Sequence, residues 1–429
     1  MPALFITNGR IIDPASGLDK TGDIVINDGR VVQVGGKAKP SKGAMVIDAR
    51  ERIVTPGLID PHVHLREPGK EEAETIASGA AAAVSGGFTT VCCMPNTTPA
   101  LDHPAMIDSV YRRAELAGQA RVFPVAAVTK GRKGTELAEI GLMAAAGAVG
   151  FSDDGDCVES PAVQRRAFQF IKQAGSVMMQ HCQDRSLTQG GVMNAGATAM
   201  RMGLTGWPAV AEEMVIERDV RLNRDIGCRY HVQHMSCAGS VEIVRQARAE
   251  GQPVTAEASP HHLLLTDEAC LGYNTNAKMN PPLRTKRDVE ALLEGVAEGT
   301  ITVLATDHAP HTREAKDLEF DAAPFGIVWI ETALALYVKA LVEPKIIDWP
   351  RLIALLTIEP ARLCGLDREP WGLGRLAVGG HADVTVIDPD AEWTIRAAEF
   401  KSKSRNTPFE GWKVRGRAER VIVGGAIRR

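Results

Sequence analysis

Residues 53–66, IVTPGLIDPHVHLR, are the stretch that says most about the fold of this chain. The first half is apolar and fits a buried parallel strand, and the second half carries His62, His64 and Arg66. Two histidines two residues apart on an extended segment point to the same side of that segment. Because sites form where parallel strands end, the stretch predicts half of a metal site with a cation beside it.

Seven more short apolar runs follow this one, and segments with a helical pattern separate them. One such segment, residues 71–85, is rich in alanine, which favours helix, and Gly86-Gly87 would end it. Eight parallel strands with intervening helices predict an α/β fold, a closed (β/α)8 barrel of the TIM type. The eight predicted strands are residues 53–65, 88–95, 121–129, 148–154, 176–182, 229–236, 254–259 and 301–308.

The two ends of the chain share a different pattern. Residues 1–52 alternate between polar and apolar positions around turn signals, and Asn27-Asp28-Gly29 fits a hairpin turn. Residues 382–389 show the same alternation. We therefore predict one small β-sandwich domain built from both termini, residues 1–52 and 366–429, with residues 53–365 forming the barrel.

Composition and charge argue against several classes of protein. The 429 residues include 49 basic and 53 acidic ones, a net charge of −4, without a stripe of Lys and Arg, so we expect no nucleic-acid partner. The N-terminus lacks the charged and apolar regions of a signal peptide, and no apolar stretch approaches membrane-spanning length. The eight cysteines show no CxxC spacing that would indicate a disulfide framework. These features predict a cytoplasmic protein with no membrane partner.

Six of the eight predicted strands end in residues suited to binding or catalysis. Zinc accepts imidazole nitrogen and carboxylate oxygen, and a two-metal site needs about five or six such ligands. The converging strand ends supply that number, whereas random placement would scatter these residues over both ends of the strands. The residues are His62, His64 and Arg66, then Asn96, then Asp153 and Asp154, then His181, His234 and Asp307.

Three choices stay open at this point. His231 and His234 face opposite sides of a regular strand, and His234 lies nearer its end. The two-residue period cannot choose between Asp153 and Asp154, because a bulge could re-aim either. Lys130 is a rival for a bridging role, since a lysine carboxylated on its side-chain nitrogen could span two metals. It lies, however, in a Gly-rich turn with a solvated composition.

Four segments together resemble a known family. They are DPHVHLREPG at residues 60–69, CMPNT at 93–97, AKMNPPLR at 277–284 and ATDHAPH at 305–311. The set resembles the amidohydrolase superfamily and, within it, the dihydroorotases, and the resemblance spans nearly the entire chain. The Arg after the HxH motif and the Asn of MPN separate this pattern from dihydropyrimidinases and allantoinases, which generally lack that pair.

The resemblance implies a ligand set for one or two zinc ions. One branch of the family carries a carboxylated lysine between two zincs and another has an aspartate in its place, and residues 151–155, FSDDG, resemble the second branch. The implied zinc ligands are His62, His64, Asp154, His181, His234 and Asp307. The implied substrate contacts are His64, then Arg66, Asn96 and His311 at a carboxylate, and Asn280, Phe325 and Gly326 at a pyrimidine ring.

The resemblance also implies a reaction, the reversible cyclisation of N-carbamoyl-L-aspartate to L-dihydroorotate plus water in pyrimidine biosynthesis. Asp307 is expected to carry the proton between the attacking water and the ring nitrogen. One alternative is another cyclic-amide hydrolase, acting on dihydropyrimidines, hydantoins or allantoin. A second is a scaffold subunit associated with aspartate transcarbamoylase, and we also consider a homodimer.

Two local expectations concern the substrate. Arg66 offers a planar guanidinium suited to a carboxylate, with a structural salt bridge to Asp60 or Glu67 as the alternative. Residues 311–318 are polar and charged and follow the last predicted strand. We predict that they form a mobile lid over the substrate, with a plain solvated loop as the alternative.

Overall fold

The computed structural model describes residues 3–429, in which strands and helices alternate through the middle of the chain. The strands are β1 (Leu4–Asp13), β2 (Leu18–Asn27), β3 (Arg30–Val34), β4 (Met45–Asp48), β5 (Ile53–Pro56), β6 (Leu58–Val63), β7 (Phe88–Cys93), β8 (Arg121–Pro124), β9 (Val177–Gln180), β10 (Met193–Asn194), β11 (Gly206–Trp207), β12 (Arg229–Val232), β13 (Val254–Ala258), β14 (Val303–Leu304), β15 (Val384–Thr394), β16 (Lys413–Val423) and β17 (Ala426–Ile427).

The α-helices are α1 (Ile76–Gly86), α2 (Pro104–Ala117), α3 (Ile140–Ala145), α4 (Pro161–Gln173), α5 (Arg185–Thr188), α6 (Ala197–Met202), α7 (Val210–Asn223), α8 (Ala238–Ala249), α9 (Pro260–Leu264), α10 (Lys286–Glu298), α11 (Arg313–Lys316), α12 (Ala333–Tyr337), α13 (Trp349–Leu356) and α14 (Ile358–Leu363). Short 3-10 helices cover Lys130–Arg132, Asp267–Cys270, Thr275–Ala277 and Ala397–Glu399, and a π-helical turn covers Val338–Val342. Within residues 3–429, none of the helices has the length and apolar character needed to cross a membrane.

A closed parallel barrel forms the centre of the molecule. β6, β7 and β8 pair side by side, and so do β9, β12, β13 and β14. Phe151 joins these two groups by pairing with Ala126 on one side and Met178 on the other, and Val63 pairs with His308 to close the ring. The predicted (β/α)8 barrel is therefore confirmed, although its fourth strand is reduced to the bridge at Phe151.

The barrel and its helices share one packed core. Phe88, Phe151 and Phe168 are fully buried, and Phe168 meets Tyr230 edge-on with ring centroids 5.6 Å apart. Burying one side chain of this size stabilises a fold by about 1.5–3 kcal/mol. Because the interior is filled with side chains, a ligand site is expected at the mouth where the strands end.

The strands from the two ends of the chain form one curled sheet. Its order is β17-β16-β15-β5-β1-β2-β3, with β4 paired to β1. Ile24 of β2 and Ile422 of β16 belong to the same hydrophobic core although their strands lie far apart in this order, so the sheet folds over itself. The predicted hairpin turn joins β2 to β3, where Asp28 (φ 47°) and Gly29 (φ 75°) both adopt positive φ values. The predicted β unit built from both termini is confirmed.

The single strand predicted over residues 53–65 is wrong, because the chain changes sheets within it. β5 pairs with β1 and β15 of the terminal sheet, whereas β6 enters the barrel. Gly57 lies between them, and a Cβ at this position would come within 2.0 Å of the Thr89 hydroxyl oxygen. Glycine is therefore required where the backbone passes between the two units. The predicted division into residues 1–52 with 366–429 and residues 53–365 stays a prediction.

The helix predicted from residue 71 begins later, at Ile76. Thr75 and Ser78 form a reciprocal capping box at its N-terminus, and Gly87 ends it with a φ of 103°, as the Gly86-Gly87 pair predicts. Glu74 is buried before the helix, where it accepts a hydrogen bond from the Ser402 hydroxyl. The tertiary contact of Glu74 thus holds the preceding residues out of the helix.

Candidate active site

Two histidines and two aspartates meet where β6 ends. The Nε2 atom of His62 lies 3.4 Å from Asp154 Oδ1 and 3.5 Å from Asp307 Oδ1. His64 Nε2 lies 2.8 Å from Asp307 Oδ1 and 3.5 Å from Asp154 Oδ2. All four side chains are buried. Residues about 90 and 250 positions apart are thus brought together by the closure of the barrel.

The other two histidines complete the cluster around Asp154. His181 follows β9 and its Nδ1 atom lies 3.6 Å from Asp154 Oδ1, while His234 follows β12 with its Nε2 atom 3.5 Å from the same oxygen. The two rings are 2.9 Å apart between His181 Nδ1 and His234 Nε2. The structure therefore brings all six predicted zinc ligands into one cluster.

Three of the four histidines donate a ring N–H to an oxygen outside the cluster. This fixes the tautomer, so the other ring nitrogen presents its lone pair to the cluster. The pairs are His62 Nδ1 with Glu257 Oε1 at 2.5 Å, His64 Nδ1 with Asn96 Oδ1 at 2.9 Å, and His181 Nε2 with Gln183 Oε1 at 2.9 Å. Orientation of this kind is what histidine ligands of a metal require.

The electrostatics of the cluster favour a cation. Burial alone would raise the pKa of the Asp154 carboxyl, but His62, together with hydrogen bonds from His181 and His234, holds that pKa well below its usual range. Burial opposes charge on His62 as well, yet Glu257, Asp154 and Asp307 raise its pKa well above the ordinary value. Three buried carboxylates in contact with His62 thus favour the binding of positive charge.

One buried atom tests whether the residues fit a metal ion. His62 Nε2 is buried and has no hydrogen-bond partner within the described residues 3–429, although it faces two carboxylates. Such an atom is costly unless something binds it. Two triads, His62 with His64 and Asp307 and His62 with Asp154 and His234, bring one ligand atom each to within 4.8 Å of one another. This mixed nitrogen and oxygen donor set fits zinc.

Three site residues adopt a left-handed backbone just after a barrel strand. Arg66 has a φ of 59°, His234 of 29° and Asp307 of 50°. This conformation is strained for non-glycine residues, and it persists where surrounding contacts enforce it. The Asp307 N–H donates to the His62 carbonyl at 2.9 Å, which is such a contact. These sharp turns aim the side chains into the barrel mouth.

The structure resolves the choice between the two neighbouring aspartates. Asp153 accepts hydrogen bonds from the backbone N–H groups of Val128 (2.8 Å) and Thr129 (3.0 Å) and from the Thr129 hydroxyl. Asp154 is the residue that faces the cluster. Asp153 therefore ties the end of β8 to the adjacent bridge, as Asp60 ties the end of β6 to Thr306.

The two other open choices are also resolved. His231 forms hydrogen bonds with Thr255 Oγ1 at 2.8 Å and with Glu257 Oε2 at 3.0 Å. It therefore supports Glu257, whereas His234 lies in the cluster itself. Lys130 is half exposed and pairs with Glu136 at 2.5 Å, away from the cluster. Lys130 is not among the residues that line the cleft or form the cluster.

A cleft of about 460 Å³ opens beside the cluster. It is lined by His64, Arg66, Asn96, Asp154, Gly155, His181, His234, Met279, Asn280, Asp307, Ala309, His311, Phe325 and Gly326. Every predicted substrate contact is among these residues. The buried His62 lies behind them.

Arg66 is oriented by backbone and makes neither of the salt bridges offered as its alternative. Its Nε donates to the Pro310 carbonyl at 3.0 Å. Glu67 pairs instead with Arg113, and Asp60 accepts from Thr306. Burial lowers the pKa of Arg66 to about 10, so its guanidinium stays charged at neutral pH.

His311 stands next to Arg66 as a neutral ring. Burial, followed by the positive charges of Arg66 and Lys316, lowers the pKa of His311 to about 2. Its Nε2 donates to the Phe325 carbonyl at 2.7 Å. The 3.4 Å approach between Arg66 Nη2 and this nitrogen therefore joins two donors and is not a hydrogen bond.

Asn280 and Gly326 form the far side of the cleft. Asn280 Nδ2 donates to Gln183 Oε1 at 3.2 Å, and its Oδ1 has no hydrogen-bond partner within the described part of the chain. Gly326 has a φ of 142°, and an added Cβ would lie 2.8 Å from the His311 ring. Only glycine allows the backbone to approach His311 this closely.

Glu257 and Gln183 are the functional residues that sequence reasoning missed. Glu257 lies inside β13, where it joins His62, His231 and the His234 N–H. A lone carboxylate within a short, mostly buried strand was the available signal. Gln183 carried no such signal, because its role depends on side chains from distant segments.

Comparisons with known proteins agree on one family. A family model described as Dihydro-orotase-like matches residues 51–240. A dihydroorotase from Pelotomaculum thermopropionicum is 48% identical over 424 residues, which cover 99% of this chain and 98% of the relative. A dihydroorotase from Anaeromyxobacter dehalogenans is 50% identical over 426 residues, covering 99% of this chain and 97% of the relative.

Solved structures share the fold. An L-hydantoinase (dihydropyrimidinase) from Arthrobacter aurescens matches with a TM-score of 0.88 and 27% identity, over 100% of this chain and 96% of that one. A dihydropyrimidinase from Brevibacillus agri matches with a TM-score of 0.83 over 99% of this chain and 94% of that one. At 22% identity, this second likeness concerns the fold alone.

A (β/α)8 barrel with histidines and aspartates at its strand ends, joined to a sheet from both termini, defines an amidohydrolase-type protein. Identity of 48–50% over the full length to named dihydroorotases is more specific. The chain belongs to the dihydroorotase family.

Proposed function

We propose that this chain interconverts N-carbamoyl-L-aspartate and L-dihydroorotate, closing or opening a cyclic amide with loss or gain of water. The observation that carries the proposal is the position of Arg66, a buried cation at the mouth of a histidine and aspartate cluster with its expected carboxylate partners engaged elsewhere. A carboxylate on the substrate would supply the missing partner. Full-length relatives named dihydroorotase support the same assignment.

We propose that the cluster holds one or two zinc ions. The proposed ligands are His62, His64, Asp154, His181, His234 and Asp307. When bound, zinc supplies a nucleophilic water at neutral pH and polarises the amide carbonyl. The buried, partnerless His62 Nε2 and the surrounding carboxylates support this ligand set.

Asp307 is the proposed proton carrier. Its carboxylate lies at the cleft, 2.8 Å from His64 Nε2, in a position turned toward the mouth by its left-handed backbone. In ring opening, Asp307 takes the proton of the attacking water and delivers it to the ring nitrogen as the C–N bond breaks. In ring closure the same proton travels in the opposite direction.

The proposed substrate contacts divide the cleft by chemistry. Arg66, Asn96 and His311 bind the substrate carboxylate, with Arg66 supplying the positive charge. His64 lies between the carboxylate subsite and the cluster. Asn280 and the backbone of Phe325 and Gly326 bind the ring, which the free Asn280 Oδ1 supports.

The rival within the enzymes is a hydrolase of uncharged cyclic amides, because an L-hydantoinase shares the fold. Turnover of dihydroorotate compared with dihydrouracil separates the two. We expect at least a hundredfold preference for dihydroorotate, since a carboxylate bound by a charged partner contributes roughly 1.5–3 kcal/mol and its absence leaves Arg66 unpaired.

Arg66→Met tests the residue that carries the assignment. We expect it to raise KM for dihydroorotate by roughly tenfold to hundredfold while leaving bound zinc unchanged. Arg221→Met, at a 72% exposed position on α7, is the matched control. Faster turnover of dihydrouracil than of dihydroorotate by the unsubstituted protein would overturn the proposal.

We also propose a reducing compartment, the cytoplasm. All eight cysteines are buried free thiols, as expected where glutathione and thioredoxin keep them reduced. A homodimer and an association with aspartate transcarbamoylase stay predictions from the family resemblance. The complete donor cluster argues against a purely passive scaffold.

A further inference from the structure

Two lysines beside the cleft are buried, although nothing in the proposed chemistry uses them. Lys278 is 2% exposed and Lys316 is 4% exposed. Lysine is almost never fully buried unless it is paired, because its ammonium loses hydration. Burial lowers the pKa of Lys278 to about 8 and that of Lys316 to about 7. Burying each of these ammonium groups therefore costs free energy. We expect each one to have hydrogen-bond partners that offset this cost.

Lys278 compensates this cost with backbone carbonyls of one segment. Its Nζ donates to the carbonyls of Phe320 (2.6 Å), Asp321 (3.1 Å) and Ala323 (2.6 Å). An ammonium has three hydrogens, so all of its donors are satisfied. The same Nζ lies 4.6 Å from the centroid of the Phe325 ring, within range of a cation–π contact.

Lys316 binds the rest of the same segment from another direction. Its Nζ donates to the carbonyls of Pro324 (2.8 Å) and Gly326 (3.1 Å). With Lys278, this makes five carbonyl oxygens between residues 320 and 326 that accept from two ammonium groups. The Phe325 carbonyl, between them, accepts from His311.

Residues 320–326, which we call the carbonyl wall, have neither helix nor strand structure. The carbonyls of the buried residues Phe320 and Ala323 would lack partners without Lys278, at a cost comparable to a lost hydrogen bond for each, whereas the Gly326 carbonyl also accepts from Asn406 Nδ2 at 3.0 Å. A charged donor forms hydrogen bonds roughly twice as strong as a neutral one, which applies to Lys278 at neutral pH, while Lys316 still donates N–H groups in the fraction of molecules where it is neutral. The two lysines therefore take the place of secondary structure in this part of the cleft.

Both lysines also belong to segments that carry substrate contacts. Lys278 lies two residues before Asn280, and its own carbonyl accepts from the Gly326 N–H at 2.9 Å. Lys316 ends α11, five residues after His311, and its carbonyl accepts from the Thr275 hydroxyl at 2.5 Å. The carbonyl wall is thus tied to the segments on both sides of it. Residues 311–318, predicted as a mobile lid, are anchored through Lys316.

We propose that Lys278 and Lys316 are positioning residues for substrate recognition, whose ammonium groups hold the carbonyl wall so that the Phe325 and Gly326 backbone and His311 face the substrate. This inference rests on the proposed function. Neither lysine touches the metal cluster, so the wall can loosen without loss of the groups that perform the chemistry.

The test compares Lys278→Met and Lys316→Met in the full-length, zinc-loaded protein. Methionine keeps much of the apolar length of lysine and removes every donor. Lys286→Met on α10, where the side chain is 84% exposed, is the matched control. KM and kcat for dihydroorotate, bound zinc, and hydrogen exchange of peptides covering residues 318–327 and the barrel strands are measured together.

We expect KM to rise roughly tenfold or more in each variant while kcat falls less than about threefold, the pattern of lost substrate positioning. Exchange should accelerate in residues 318–327 and stay unchanged in β6 and β12, with zinc retained. Lys286→Met should match the unsubstituted protein. If a methionine variant does not accumulate as folded protein, Lys316→Gln takes its place in the test. Glutamine keeps a donor for the carbonyls, so the rise in KM over the unsubstituted protein should be smaller than the roughly tenfold expected for methionine.

Two outcomes overturn the inference. One is a KM within twofold of the unsubstituted protein. The other is loss of zinc together with faster exchange throughout the barrel, which would make the lysines general supports of the fold. Failure of the proposed function is distinguishable, because it would appear as absence of dihydroorotate turnover in the unsubstituted protein.

Discussion

The two sides of the cleft are built by different means. The cluster of histidines and aspartates takes its residues from strand ends of a closed barrel, and side-chain oxygens of Glu257, Asn96 and Gln183 fix the rings of three histidines. The carbonyl wall has no regular structure, and it is held by two lysine ammoniums and one histidine. Rigid strands thus position the groups that we propose to act on the amide, while loops carry the groups that we propose to bind the rest of the substrate.

This difference between the two sides is consistent with a fold that is shared among proteins with different names. The chain shares its fold with an L-hydantoinase at a TM-score of 0.88, yet its relatives at 48–50% identity are dihydroorotases. A barrel can keep its strand ends while its loops change. Substitutions in the cluster should therefore affect metal and rate, and substitutions in the wall should affect substrate binding.

The largest effect is expected from Asp154→Asn. Asp154 Oδ1 lies within 3.6 Å of a nitrogen on three different histidines, so loss of its charge removes the centre of the cluster. We expect turnover to fall by at least about 10³-fold, because the metal contributes several kcal/mol to the transition state. Metal analysis and steady-state kinetics measure the two losses. Asp225→Asn, at a 66% exposed position, is the control and should change neither metal content nor turnover. Wild-type turnover in Asp154→Asn would show that the cluster does not take part in the reaction.

Removal of metal should destabilise the whole protein. A chelator leaves Asp154, Asp307 and Glu257 close together, with a protonated His62 ring as the countercharge that all three share. With free zinc at a hundred times its dissociation constant, binding adds about 2.7 kcal/mol to the free energy of unfolding. Urea unfolding with and without chelator measures the difference. Coincident unfolding curves would mean that the cluster holds no ion.

A substitution next to the cluster, Glu257→Gln, should weaken metal binding without removing a ligand. Glu257 orients His62 and also contacts His231 and the His234 backbone. Loss of such an orienting partner typically costs about 10–100-fold in metal affinity. Competition with a chromophoric chelator gives the affinity, and Glu250→Gln, 53% exposed, is the control. An unchanged affinity would show that the strand alone orients His62.

The smallest effect is expected in the wall, from Gly326→Ala. The new Cβ would meet the Ala309 carbonyl and the His311 ring at 2.8 Å, so the wall must shift while the cluster stays intact. We expect KM to rise about tenfold, a cost of about 1.4 kcal/mol, with zinc unchanged. Gly251→Ala, at φ 78° with no atom within 4 Å of the added Cβ, isolates backbone strain from the clash. Loss of zinc in Gly326→Ala would contradict the separation of the two sides.

Much of the cluster was predictable because its signals are local. The His62 and His64 spacing, the apolar run before them and the polar residues after five other runs all follow from the two-residue period of a strand. Asp28 and Gly29 likewise indicate a turn, because an Asp-Gly pair readily adopts the positive φ values that a hairpin turn requires. Such features depend on residues near in sequence.

Other features depend on partners far along the chain. Asp153 and Asp154 differ only in what they meet, since Asp153 binds Thr129 and Asp154 faces the histidines. β5 leaves the barrel because it pairs with β15, more than 300 residues away. A polar segment at residues 311–318 reads as solvated, yet Lys316 is buried because the carbonyls of the wall surround it.

The sequence by itself determined the alternation of strands and helices, the alternating β pattern of both ends and the shared orientation of His62 and His64, because periodicity and residue chemistry are local properties. Only the tertiary structure decided which carboxylates face the cluster, how Glu257 orients His62 and where the two lysines donate. These depend on the closing of the barrel, which brings atoms from segments up to about 250 residues apart within hydrogen-bonding distance. The role of a buried polar atom depends on its hydrogen-bond partners, and those partners come together only in the folded chain.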